Sequence, residues 1–341
     1  MTLAAHPNVL LFLWALAQLS TWVLATPQSY APHLYTRKTT TIISHSSNGS
    51  IIVLDPDTEQ SIPQGLGTDG GGSGFSAPAI IWIGVFFVIG APLSVAGIRG
   101  WRCTTGVALG LASIVCAWAA IINSVNQTGI SDLLLTIIVL AFGFLGVVIG
   151  VFEFARISSM AALCISGGLA FGMRIALIKK NLLITPLALN WAVIVVFGVA
   201  NGLFLIWHRR AAMLIACAST GTFLLSLAVD LIINQQSGLS IGLRSVFDNN
   251  DNHVAYFAEN SYDPRLSTRV ILIVSLGLTP VLAFAQHRMF KAPFIRREPP
   301  SDEDLCLNYP TEDNGSYRAT VFLSGLWDGA KFKMNANRFS V

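Results

Sequence analysis

The chain has 341 residues, of which 53% are hydrophobic and only 11% charged, with a mean hydropathy of +0.62. Those proportions exclude an ordinary soluble protein and describe one that crosses a membrane several times. The formal net charge of +3 is spread along the chain without a dense basic block, so no nucleic-acid partner is expected.

Residues 1–25 combine a short polar start, an apolar core and the small-residue ending Val23-Leu24-Ala25, the pattern of a cleaved signal peptide. The start carries no Lys or Arg, so an uncleaved extra helix is the other reading. Residues 26–76 then form a small extracellular segment. Two β-prone runs, 39–43 and 50–54, flank residues 44–49 and predict a short hairpin turning at Asn48-Gly49. Asn48-Gly49-Ser50 is also a glycosylation sequon. Residues 65–74, GLGTDGGGSG, read as a flexible tether. Their formal G-x-G-x-x-G match has no strand before it and no helix after it, so it predicts no dinucleotide site.

Seven apolar runs follow, at 77–98, 104–124, 132–153, 157–178, 186–207, 211–233 and 268–287. Each is long enough to cross a hydrocarbon core of about 30 Å as a helix. The predicted fold is therefore an all-α membrane protein, a seven-transmembrane helix bundle over 77–288, and residues 289–341 read as a disordered cytoplasmic tail. With the amino end outside, the basic residues flanking the spans collect on the inner side, as membrane orientation favours. A second sequon at Asn126 then falls outside and Asn314 falls inside. Gly106 and Gly110, Gly146 and Gly150, Gly168 and Gly172, and Gly198 and Gly202 are small-x-x-x-small pairs in four successive spans, which predicts tight packing of spans two to five. Asn201, deep in the fifth span, reads as an interhelical hydrogen-bond donor.

Three polar residues make up the candidate intramembrane cluster. Arg174 in the fourth span and Asp230 in the sixth each sit three or four positions before the outer end, and Asn190 lies about one turn into the fifth. All three are expected at one depth, where Arg174 and Asp230 either pair or each reach out to water. In the last outer loop, Leu239, Leu243, Val246 and Phe247 follow helical spacing and predict a helix lying on the outer leaflet. After it, Asp248, Asn250, Asn252 and Glu259 fall at calcium-loop positions, although His253 stands where the turn glycine belongs. A solvated Asn/Asp-rich turn accounts for the same residues. The five cysteines show no metal spacing and no catalytic motif occurs, so neither cofactor, metal nor enzymatic activity is expected.

The leader, the seven spans, the run FGFLGVVIG (142–150) and the stretch SIGLRSVFDNNDNH (240–253) resemble the seven-transmembrane family that groups transmembrane protein 198 with transmembrane 7 superfamily member 3, a domain of unknown function. That resemblance implies a membrane protein without catalytic activity, with a signalling role in some members, and carries no site residues over. The expectation is a non-enzymatic scaffold or signalling component of the plasma membrane or endomembrane system, embedded in the lipid bilayer and reaching cytoplasmic protein partners through its tail. A small-solute or ion transporter using Arg174, Asn190 and Asp230 is the alternative.

Overall fold

The computed structural model describes residues 42–45, 51–55, 58–65, 69–97, 99–126, 128–180, 182–183 and 187–290. The leader, the Asn48 sequon and the tail lie outside them. Seven helices are long and apolar enough to cross a membrane: α1 (Ala77–Ala96), α2 (Trp101–Ser124), α3 (Asp132–Val151), α4 (Arg156–Ala176), α5 (Leu187–Trp207), α6 (Arg209–Asn234) and, after a long connection, α9 (Leu266–Met289). Helices are what such runs must form in lipid, because every backbone N–H and C=O then bonds within its own segment. The connection carries two short helices, α7 (Leu239–Phe247) and α8 (Val254–Glu259).

The bundle is assembled from close helix pairs. Gly106 and Gly110 on α2 face Val147 and Gly143 on α3, and Gly146 and Gly150 return the contact. Between α4 and α5, a Cβ at Gly168 would come within 2.7 Å of Gly198 Cα, so the two backbones all but touch there. Small residues thus pack α2 against α3 and α4 against α5. The third close pair joins α1 to α6, where Gly221 meets the backbone of Ser94. α6 is the most deeply buried of the seven helices and also packs against α4 and α9. Asn201 donates to the Cys164 carbonyl at 2.7 Å, tying α5 to α4.

One end of the bundle is covered by a cap. It is built from the hairpin β1 (Ile42–His45) and β2 (Ile51–Leu54), residues 58–65 and 69–76, α7, α8 and the turn into α9. The hairpin is antiparallel, with Ile42 opposite Leu54 and His45 opposite Ile51. β1 therefore takes in Ser44 and His45, which the sequence pattern assigns to the turn.

Residues 69–74 of the glycine-rich segment are a docked part of the cap rather than a loose tether. Gly70 N–H donates to Asp132 Oδ1 at 3.0 Å, and its carbonyl accepts from Thr136 Oγ1 at 2.8 Å and Trp82 Nε1 at 3.2 Å. At φ +79°, with a Cβ position only 2.7 Å from the Leu135 side chain, Gly70 fits where other residues would not. Trp118 Nε1 bonds the Asp69 carbonyl at 2.8 Å, and Gln236 Nε2 bonds the carbonyls of Gly71 and Gly74. Composition alone pointed to flexibility because these bonds come from side chains far away in sequence.

α7 is likewise a plug over the bundle and does not lie out on the leaflet. Leu239 and Val246 are buried in protein, and Phe247 packs edge-on against Trp118 and Trp191 at ring-centroid distances of 5.6 and 5.2 Å. Trp191 Nε1 donates to the Val246 carbonyl at 3.0 Å.

Candidate functional site

Arg174, Asn190 and Asp230 are all fully buried, but the structure divides Arg174 from Asp230 rather than joining them. Arg174 lies near the cap end of α4. Helical side chains lean toward the helix amino terminus, so its guanidinium points down into the bundle and away from the cap. Nε donates to the Ala170 carbonyl one turn back, at 3.1 Å. Nη1 reaches Thr222 Oγ1 (2.9 Å) on α6, and Thr279 Oγ1 and the Ser275 carbonyl (both 3.0 Å) on α9. Nη2 reaches Ser219 Oγ at 2.7 Å and the Ser219 carbonyl at 3.1 Å. The rings of Phe171 and Phe223 lie 5.7 and 5.9 Å from Cζ. Ser219 stands ten residues into α6, about 15 Å along its axis, so the charge is held near mid-depth, on three helices, by neutral oxygens alone.

Asp230 is bonded elsewhere. It lies eight residues beyond Thr222 on α6, about 12 Å closer to the cap. Oδ1 accepts from Asn234 Nδ2 and Thr268 Oγ1, both at 2.8 Å, and Oδ2 accepts from the Leu239 N–H at 2.5 Å. The carboxylate thus sits at the first residue of α7, where an acid opposes the positive end of the helix dipole. Pairing between Arg174 and Asp230 does not occur. The expectation of a common depth counted Cα positions, whereas side-chain direction carries the guanidinium inward. Asn190 is buried in the first turn of α5.

A second charged cluster lies in the cap. Asp248 Oδ2 accepts from Arg244 Nε at 3.1 Å and faces His253 Nδ1 at 2.7 Å, with all three side chains buried. Oδ1 accepts from the Asn250 N–H at 3.0 Å. Arg244 stacks over the Tyr256 ring at 4.5 Å. Asn250 Nδ2 donates to the carbonyls of Ile122 and Val125, and Asn123 clasps Phe247 and Asn249. The Asp/Asn run is therefore occupied in fastening α7 to α2, which overturns its reading as a calcium loop: Asp248 faces cationic and N–H groups, and Asn250 is turned toward α2. Burial raises the nearby Asp69 carboxyl above its ordinary range, with the Arg244 guanidinium pulling the other way. Burial also raises the Tyr262 phenol, which keeps it a donor to the Leu177 carbonyl at 2.7 Å.

Asp248→Asn is expected to remove the carboxylate in direct contact with the buried Arg244 guanidinium, at a cost of about 3 kcal/mol. Hydrogen exchange should then accelerate across residues 239–259 while α2 and α3 keep their protection. Unchanged exchange in that segment would show that Asp248 does not hold the cap.

Nothing in the residue pattern marks Arg244 and His253 as partners of Asp248, since their meeting depends on the chain turning back after α7. Trp82, Trp118 and Trp191, near the cap ends of their helices, were the available signal. An indole there must place its N–H on some acceptor, and each one bonds a carbonyl of the cap. No curated protein and no solved structure matches the chain. The profile of the TM7S3/TM198-like domain matches residues 83–287, from the middle of α1 to the last turn of α9. A match over more than half of the chain, on a bundle of seven membrane-length helices, shows that this polytopic membrane protein belongs to the TM7S3/TM198-like family.

Proposed function

We propose that the protein is a non-enzymatic scaffold or signalling component that presents its cap on the outer or lumenal side and engages cytoplasmic proteins through residues 291–341. The observation that supports this reading is the state of the buried polar groups. Arg174 and Asp230 have no accessible surface, and both are bonded within the protein, Arg174 to α6 and α9 and Asp230 to α6, α9 and the start of α7, so they act as fasteners between helices and not as contacts for a solute. A transporter keeps such groups against a water-filled path. Deleting residues 291–341 is expected to remove a defined set of neighbours recovered by proximity labelling from intact cells. An unchanged set overturns the tail as the route. Proteoliposomes are expected to pass chloride, phosphate and protons no faster than protein-free liposomes; flux that disappears in Arg174→Met establishes the transporter instead.

The proposed orientation rests on charge. Among the described residues, the end opposite the cap carries Arg99, Arg102, Arg156, Arg209, Arg210 and Arg288 against Glu153 alone. At the cap end, Arg244 faces Asp248, while Lys180 and Arg269 face Asp263 at 2.9 and 3.6 Å. Positive charge on the cytoplasmic side is the usual arrangement. Asn126 is exposed in the turn between α2 and α3, at the cap end. Asn126→Gln is therefore expected to remove one glycosidase-sensitive mobility shift and Asn48→Gln another, while Asn314→Gln changes nothing. Sugar on Asn314 would invert the topology.

A further inference from the structure

We propose that the end opposite the cap holds a binding site for the phosphorylated headgroup of an anionic lipid, in the cleft between α6 and α9. The cleft measures about 410 Å³ and is lined by Arg210, Phe284, His287 and Arg288. Among the described residues, every polar residue in that lining is basic. Arg210 approaches from the first turn of α6, where its Nη2 donates to the Phe290 carbonyl and so closes one side of the cleft. His287 and Arg288 come from the last turn of α9 and are exposed. Phe284 lies one turn deeper on the lipid-facing surface, and the Arg288 guanidinium sits 5.2 Å over its ring.

That layering matches a phospholipid more closely than a soluble anion. The apolar Phe284 lies at the level of the acyl chains and the guanidinium groups lie at the level of the phosphates. Arginine forks are suited to phosphate oxygens, and basic clefts between helices at the cytoplasmic border are where anionic headgroups collect. The sequence continues the basic character directly beyond α9, with Lys291, Arg296 and Arg297. In the membrane the site faces anionic lipid only if this end is cytoplasmic, and to that extent it rests on the orientation proposed above. The test is independent of orientation because it is made in detergent, where both ends are accessible.

Purified full-length protein is titrated with dioctanoyl phosphatidylinositol bisphosphate, with dioctanoyl phosphatidylcholine, and with soluble inositol trisphosphate and inorganic phosphate, following the thermal unfolding midpoint. The phosphoinositide is expected to raise the midpoint and phosphatidylcholine to leave it unchanged. Each removed guanidinium is expected to weaken apparent affinity about five-fold, and Arg210→Gln with Arg288→Gln together about 30-fold. Arg156→Gln, at the same end but outside the cleft lining, is expected to stay within two-fold. Because Arg210 also bonds backbone, Arg288→Gln alone provides the reading should the double variant fold poorly. Equal titrations for wild type and Arg288→Gln overturn the site. Inositol trisphosphate or inorganic phosphate acting as strongly as the lipid overturns the headgroup in favour of a free phosphate.

Discussion

Arg174→Lys is expected to destabilise the bundle more than Arg174→Met does, although lysine keeps the charge and methionine discards it. The guanidinium is placed near mid-depth and bonds α6 and α9 at once, with Nη1 on Thr222, Thr279 and the Ser275 carbonyl and Nη2 on Ser219. A single ammonium cannot take the places of Nε, Nη1 and Nη2 together, so the acceptors on Ala170, Ser219 or α9 lose their donor. Lysine would therefore stay buried and charged with part of its hydrogen bonding unmet, a defect costing about 3–5 kcal/mol. Methionine removes the desolvation burden together with the bonds. The hydroxyls keep other partners: Thr222 donates to the Ala218 carbonyl, Thr279 to the Ser275 carbonyl and Ser219 to the Gly167 carbonyl. We expect Arg174→Met to cost about 1–2 kcal/mol, in line with apolar replacement of other buried charges. Thermal unfolding of the purified variants in detergent ranks them. Lysine tolerated and methionine not would mean that the pocket requires charge rather than the fork.

Asp230→Ala is expected to act locally, on the cap. It removes the acceptor of three donors at once, one N–H of the Asn234 amide (which keeps Thr268 Oγ1), the Thr268 hydroxyl and the Leu239 N–H, and the last of these begins α7. Buried donors without acceptors cost about 1–3 kcal/mol each, and the interaction with the α7 dipole adds about 0.5 kcal/mol. Relief of carboxylate burial offsets part of the sum, leaving an expected loss of about 3 kcal/mol. Amide exchange should rise first in residues 235–259 and only later in the seven long helices. Gly238→Ala offers the same perturbation without touching the charge, since the added methyl would fall on the Asp230 carboxylate. If both variants destabilise all helices equally, Asp230 belongs to the bundle and not to the joint between bundle and cap.

The spans were legible because lipid leaves a chain so little choice. Twenty apolar residues must be helical, and the observed limits differ from the predicted ones by at most a few residues. The glycine pairs and Asn201 were legible for a related reason, as small residues and lone amides inside a span have few uses other than contact with a neighbour. The site was much less so. Arg174 and Asp230 look like natural partners when depth is counted along the helix axis, but a long side chain leaning toward its amino terminus and a short one capping α7 end about two turns apart. The cap was hidden for another reason. Gly70, Gln236 and Asn250 are ordinary loop residues by composition, and their roles follow from acceptors more than 60 positions away in the chain.

The pairing of α1 with α6 has a consequence for biosynthesis. α2 with α3 and α4 with α5 are neighbours in sequence, so each can leave the insertion machinery as a finished hairpin. α1 has no such neighbour. Its groove around Gly90 and Ser94 stays open until Gly221 has been made, and at about 5–20 residues per second the ribosome takes on the order of ten seconds to reach it. During that interval the first helix must be sheltered by lipid or by a membrane-resident chaperone, which makes it the segment whose misinsertion quality control has the longest opportunity to detect.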